Sequence, residues 1–258
     1  MVANRYDEPK SILITGASSG LGAALAELYA GPEVALALTG RDRGRLESVA
    51  GRCAAAGARV TSEALDVLDR EGLESWMRFV DEAAPLDLVI ANAGVSAGTG
   101  GDGEDDAQTR RIFETNVTGV LNTVQPAVAL MTPRRHGQIA IMSSLAGFRG
   151  MPGAPAYGAS KAAVRTWGEA LRGHLRDRGI AVSVICPGYV RTPMTAVNRF
   201  YMPFLMDSDR AARIIRRGLA RNRARIAFPR PLYSVVWLLA ALPPGLTDPL
   251  LRKLPAKD

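Results

Sequence analysis

Short apolar runs alternate along this chain with longer stretches in which apolar residues recur at helical spacing. Residues 11–15 (SILIT) predict a first strand, and a helix follows over 21–29. A second strand over 34–39 leads to a helix over 43–56, and a third over 59–65 leads to a helix over 70–84. Residues 86–91 (LDLVIA) predict a fourth strand, followed by one long helix over 108–131. A fifth strand over 138–143 precedes a helix over 155–178, and a sixth occupies 180–186. A helix over 209–221 and a last strand over 224–228 complete the alternation.

Most of these strands are apolar on nearly every residue, as strands buried on both faces are. Strands alternating with helices imply parallel βαβ units, and right-handed crossovers stack such units into a doubly wound sheet. The expectation is therefore an α/β, Rossmann-like single domain of about seven parallel strands with helices on both faces. No repeat or linker divides residues 1–258, although an apolar C-terminal extension begins near residue 231. Two segments lack periodicity and are lid candidates: the Gly-rich, acidic stretch 97–106 and the stretch 187–206.

Composition changes this picture little. The 258 residues are 47% hydrophobic and 22% charged, which suits one sizeable core. The net charge of +7 could attract phosphate ligands, anionic lipid or nucleic acid. Many arginines lie between 210 and 230, but no aromatic stacking platform interleaves them and no zinc-finger spacing occurs, so no nucleic-acid partner is expected. Cys53 and Cys186 lie among apolar neighbours and read as buried free thiols. The polar N-terminus carries no signal-peptide pattern, and the apolar run 232–242 is shorter than the roughly 20 residues a bilayer span needs. A cytoplasmic protein is the default. No metal-ligand cluster is present, and His136 and His174 read as surface or helix-end residues.

The chemistry concentrates at strand ends. Thr15-Gly16-Ala17-Ser18-Ser19-Gly20-Leu21-Gly22 follows a strand and opens a helix. Glycines let the backbone approach a pyrophosphate closely, and the helix offers its free N–H groups. The spacing is G-x-x-x-G-x-G, distinct from the usual dinucleotide fingerprint. Gly40 stands where an acidic residue would bind ribose hydroxyls, and Arg41 beside it could face a 2′-phosphate. Arg43 and Arg45 are near, or are simply the solvated face of the next helix.

Tyr157 and Lys161 are four residues apart and share one helix face. An ammonium beside a phenol favours the phenolate and lowers its pKa, giving Tyr157 a route to acid–base work. Ser144, 13 residues before Tyr157 at the end of the fifth strand, could hold a substrate oxygen, with Ser143 as its competitor.

With Asn92-Ala93-Gly94, Asn116 in NVTG, YGASK at residues 157–161, and Pro187-Gly188 followed by Thr192, the chain resembles the short-chain dehydrogenase/reductase family, in its branch of about 250 residues. The resemblance implies an oxidoreductase interconverting an alcohol and a ketone with NADP(H), NAD(H) being the alternative coenzyme. It assigns Tyr157 as acid–base and Ser144 as holder of the reacting oxygen. Lys161 would lower the tyrosine pKa and hold the nicotinamide ribose, and Asn116 would kink its helix and position a water in a relay to Lys161. Gly16, Ser18, Ser19, Gly20 and Leu21 would line the pyrophosphate, Asp66 and Val67 the adenine, and Asn92, Ala93 and Gly94 the back of the cofactor. Pro187, Gly188, Val190 and Thr192 would close over the nicotinamide. A catalytically silent NADP-binding sensor of the same fold is the alternative. Leu145, Phe148, Met151, Tyr189, Met194, Phe200, Tyr201 and Phe204 suggest a lipophilic substrate, and the family suggests a homodimer or homotetramer. The run 232–242, apolar on every side, is expected to pack over the pocket or a partner subunit rather than to touch a membrane surface.

Overall fold

The computed structural model describes residues 8–96, 104–198 and 200–251. Seven strands form one parallel sheet: β1 (Ser11–Thr15), β2 (Ala35–Thr39), β3 (Arg59–Glu63), β4 (Leu88–Ala91), β5 (Gly137–Met142), β6 (Ile180–Pro187) and β9 (Arg225–Phe228), in the order β3-β2-β1-β4-β5-β6-β9. Two short strands between β6 and β9, β7 (Val190–Arg191) and β8 (Met206–Asp207), pair only with each other.

Alternation along β1 sorts its side chains between two cores. Ile12 and Ile14 face a layer that includes α1 (Gly20–Tyr29), α2 (Arg43–Ala55) and α8 (Ser208–Ala220). Leu13 faces α3 (Arg70–Ala83) and α5 (Gly119–Arg134) on the other side, where α6 (Pro155–Leu175) also packs. Each such fully buried side chain contributes about 1.5–3 kcal/mol. β3 is an edge strand and alternates exposed with half-buried residues.

Several element boundaries differ from the sequence pattern. β3 stops at Glu63 because its partner β2 ends at Thr39, the residue paired with Glu63. The expected helix 108–131 is divided into α4 (Asp106–Phe113), a wide π-helical turn (Glu114–Thr118) and α5. The stretch 187–206 holds β7, the short α7 (Pro193–Ala196) and β8. Most of the acidic lid candidate, residues 97–103, lies outside the described residues.

The C-terminal run forms α9 (Arg230–Ala241), followed by α10 (Pro244–Leu251). Leu232 and Tyr233 pack beside Phe148 and Leu145, and Val236 is buried. On the single chain Val235, Trp237 and Leu238 are each more than half exposed, because the elements beneath α9 cover only one of its sides.

The sheet order reverses direction between β1 and β4. In open α/β sheets the crevice outside the strand C-termini at such a switch point is where ligands bind.

Candidate active site

A cleft of about 650 Å3 opens at that switch point, and it gathers the ends of β1, β2, β4, β5 and β6. Every residue expected to bind the cofactor lines it, as do Ser144, Tyr157 and Lys161. Asn116 lies just behind its wall.

The β1–α1 turn is shaped by close backbone approach. Gly16 adopts φ +65°, and a Cβ there would come within 2.8 Å of Ala93 Cα. A Cβ on Gly22 would lie 2.3 Å from the Gly16 carbonyl oxygen. Asn92 Nδ2 ties the turn across the sheet by donating to the carbonyls of Thr15 (3.0 Å) and Gly16 (3.2 Å). Ser19 caps α1 with its backbone only, making no side-chain hydrogen bond, so the first amides of α1 remain available to an anion. This cradle, which side chains would fill, fits the pyrophosphate of a dinucleotide.

At the β2 end, a Cβ on Gly40 would meet Ser18 Oγ at 2.9 Å, so an acidic side chain there would have to push the Ser18 hydroxyl aside. Asp42, which the sequence reading did not weigh, lines the cleft instead. Its carboxylate accepts the Arg45 amide (2.9 Å) and Nε (2.8 Å), and these bonds hold its pKa below the usual carboxylate range. It is the N-cap of α2, a role that an Asp three residues before a first-turn amide signals. Arg45 is thereby engaged with Asp42, and Arg43 turns toward Glu47 and Glu63. Arg41 is exposed on the cleft wall without a carboxylate partner among the described residues.

The two serines after β5 separate by function. Ser143 Oγ donates to the Lys161 carbonyl at 2.8 Å and so faces α6. Ser144 Oγ accepts from the Ala146 amide (3.1 Å), donates to the Pro187 carbonyl (3.4 Å) and lies near enough to the Tyr157 phenol to oppose the rise in its pKa. Strand alternation thus turns Ser144, and not Ser143, toward the phenol.

Lys161 is buried, and its Nζ donates to the Met142 carbonyl at 3.0 Å and stands 5.8 Å from the Tyr157 ring centroid. Burial away from water lowers its pKa to about 8. The Tyr157 pKa is raised, chiefly by burial, with the Ser144 hydrogen bond opposing. Desolvation therefore outweighs any lowering by the lysine, whose ammonium is engaged by a backbone carbonyl.

Asn116 occupies the π-helical turn between α4 and α5. Its amide pairs with the backbone of Val95 in both directions, at 2.8 and 2.9 Å, and donates to Ser160 Oγ at 3.0 Å. The wide turn swings this side chain out of helical register toward the loop after β4. A Cβ on Gly94 would sit 3.0 Å from Asn116 Oδ1 and 3.2 Å from Lys161 Nζ, so glycine there keeps the three groups adjacent.

Other expected residues take mixed positions. Asp66 accepts the Leu68 amide in a local turn (3.0 Å), and the Val67 carbonyl receives Asn122 Nδ2 (2.9 Å). Thr192 caps α7 in a reciprocal box with Thr195. Of the apolar residues expected at a substrate mouth, Met194 lines the cleft. Phe148 is instead held between Arg165 and Arg225 and packs edge-on to Tyr233, and Tyr201 and Phe204 face outward. Cys53 and Cys186 are buried free thiols, and burial pushes Cys186 up to about 12. His136 meets Asp87 at 3.2 Å, outside the cleft. No group of His, Cys, Asp or Glu able to hold a metal occurs among the described residues.

The sequence profile described as short chain dehydrogenase matches residues 10–200. The chain belongs to the short chain dehydrogenase family. It is 39% identical over 246 residues to an uncharacterized oxidoreductase of Myxococcus xanthus, covering 95% of this chain and 97% of that protein. An uncharacterized oxidoreductase of Mycobacterium tuberculosis is 35% identical over 247 residues, covering 92% and 96%. Among solved structures, a short-chain dehydrogenase from Sphingobium yanoikuyae in complex with NADPH superposes with a TM-score of 0.79 at 26% identity, over 96% of this chain and 97% of that one. As a short chain dehydrogenase, the protein is an oxidoreductase of the NAD(P)-dependent kind acting on a small molecule. No helix among its described residues is long and apolar enough to cross a membrane.

Proposed function

We propose that this short chain dehydrogenase interconverts a ketone and a secondary alcohol on a lipophilic substrate, with NADP(H) preferred over NAD(H). The observation that carries the reading is the convergence of Ser144, Tyr157 and Lys161 on the cleft that the β1–α1 turn opens into.

Held by the β1–α1 turn and the ends of β4 and β6, a nicotinamide coenzyme would supply or accept the hydride at the substrate carbon. In the reduction direction, Ser144 donates a hydrogen bond to the carbonyl oxygen as negative charge develops there. Tyr157, fully protonated at neutral pH because burial raises its pKa, gives its proton to that oxygen. The Lys161 ammonium stabilises the phenolate left behind. Asn116 holds the loop that carries Gly94, which keeps Lys161 in reach. In oxidation each proton moves the other way.

Preference for NADP(H) rests on Arg41 beside Gly40, with the nearby acid Asp42 already bonded to Arg45. A lipophilic substrate is supported by Val95, Val190, Pro193 and Met194 on the cleft wall. The whole chain would act as one catalytic unit, as a cytoplasmic homodimer or homotetramer.

The test is a panel of ketones and alcohols assayed with NADPH and NADP+ through the absorbance of the reduced nicotinamide. Turnover of an apolar ketone with NADPH is expected. Tight NADPH binding with no turnover across the panel would leave a silent cofactor-binding protein and overturn the enzymatic reading.

A further inference from the structure

Elsewhere on the surface the arginines are mostly engaged: Arg52 with Glu27, Arg78 with Glu74, Arg110 with Asp106, Arg134 with Asp81. One region departs from this. A second cleft, of about 500 Å3, lies between α8, β9 and the start of α9. Six arginines line it and no acidic residue does: Arg225 is paired with Glu169, whereas Arg210, Arg217, Arg221, Arg223 and Arg230 have no ion-pair partner among the described residues. Five like charges around one concavity repel each other unless anions from outside screen them.

The cleft is flanked by exposed apolar chain on both sides. Its wall begins at Met206, two residues beyond Phe204, which is 56% exposed. It ends at Arg230 and Pro231, where α9 starts. Beyond that point α9 has no charged residue, and Val235, Trp237 and Leu238 are each 55–57% exposed on its outward side. A water-facing helix of a free-standing protein normally carries a polar face there. An outward apolar face with a Trp, next to a concentration of unpaired arginines, has the chemistry of an element that lies in a membrane interface.

We propose that the α9 face and the adjoining arginine cleft form a docking surface for an anionic lipid membrane. The apolar side chains of α9 enter the headgroup and acyl boundary while the arginines meet lipid phosphates, and no described helix is long and apolar enough to cross the bilayer. Leu232, near the inner end of the same helix, approaches Gly188 of the first cleft closely enough that a Cβ there would lie 3.0 Å away. Docking therefore sets the catalytic cleft near the lipid surface. The proposal does not depend on the enzymatic reading, since membrane binding is measured without turnover.

The experiment is co-sedimentation of the full chain with vesicles of phosphatidylcholine alone and of phosphatidylcholine with about a third phosphatidylglycerol. Binding is expected only to the anionic vesicles and should weaken with salt. Because each basic residue near such a surface contributes roughly fivefold, the triple variant Arg217→Glu, Arg221→Glu, Arg223→Glu should bind at least 100-fold more weakly. The pair Trp237→Asp, Leu238→Asp should also release the protein. Circular dichroism and NADPH binding report that both variants are folded. With brominated phosphatidylcholine in the anionic vesicles, part of the tryptophan fluorescence should be quenched, and Trp237→Phe should remove that part. No sedimentation of the wild type, equal binding to neutral vesicles, or binding unchanged in either multiple variant overturns the proposal. A stable dimer dispersed by the Trp237, Leu238 pair without vesicle binding would assign the face to a second copy. A shift of an oligonucleotide without vesicle binding would assign the cleft to nucleic acid.

Discussion

The carboxylate of Glu104 accepts the backbone amides of Ala156 and Tyr157, so a residue 53 positions earlier caps the helix that carries the phenol. The first-turn amides of α6 have no partner within the helix, and the Ala154 cap supplies no side-chain bond. Glu104 satisfies two of them and fixes where the helix begins, which in turn fixes Tyr157 against Ser144. Tyr157 has a geometric requirement of a few tenths of an ångström for proton transfer, so this anchor is a positioning contact.

Loss of that anchor should slow the reaction more than it weakens binding. Glu104→Ala is expected to lower kcat about tenfold with little change in the KM for NADPH, and to cost about 1 kcal/mol of stability, the usual worth of a cap. Glu104→Gln, which keeps an acceptor, should recover part of kcat. Steady-state kinetics with thermal melts checks this. An unchanged kcat in Glu104→Ala would show that the cap is purely structural.

Tyr157→Phe removes only the hydroxyl. The fold and NADPH binding should persist, while kcat drops by roughly 10²-fold or more, as for loss of a general acid. Fluorescence titration of NADPH alongside the turnover assay separates the two effects. Near wild-type turnover would remove Tyr157 from the mechanism.

Lys161 makes the pH dependence directional. Its pKa in the folded protein is lowered to about 8 by burial, and the charged form is the one that supports the phenolate. Activity is therefore fully present below that value and lost as pH rises through it. The kcat/KM for NADPH, which reports the free protein, should be flat near pH 7 and fall above about 8. Lys161→Arg should carry any residual activity on a profile without that fall, because a guanidinium stays charged. A wild-type profile flat to pH 10 would contradict the assignment.

Coenzyme choice should follow Arg41. Arg41→Ala is expected to raise the KM for NADPH about tenfold or more, the loss of one charge-assisted contact, and to leave the KM for NADH nearly unchanged. Equal use of both coenzymes by the unmodified protein would refute the preference.

Gly22→Ala tests the phosphate turn without touching any reacting group. The new Cβ would lie 2.3 Å from the Gly16 carbonyl oxygen and 2.6 Å from Asn92 Nδ2. The turn must open, so NADPH affinity should fall at least tenfold and the melting temperature should drop by several degrees. Wild-type affinity measured by titration would mean the cradle is not used.

What the sequence determined by itself is what short-range periodicity carries. The run LVIA is apolar at each position and SILIT at its three central ones, the pattern of strands buried on both faces, so β1 and β4 were legible in advance. Tyr157 and Lys161 are bound by one helical turn, and their shared face needed no tertiary knowledge. The division at Glu114–Thr118 was not legible, because it follows from Asn116 pairing with Val95, 21 residues away. The choice of Ser144 over Ser143 depended on the pleat of β5 against α6, and the Glu104 cap on a contact spanning 53 residues. The raised Tyr157 pKa depended on burial, which no spacing encodes. The direction of α9's apolar residues was decided only by which elements pack beneath it: an all-apolar helix has no polar face from which its buried side could be read. Local pattern fixes which residues belong to an element, whereas solvent exposure and long-range hydrogen bonds are set by neighbours that only the folded chain brings together.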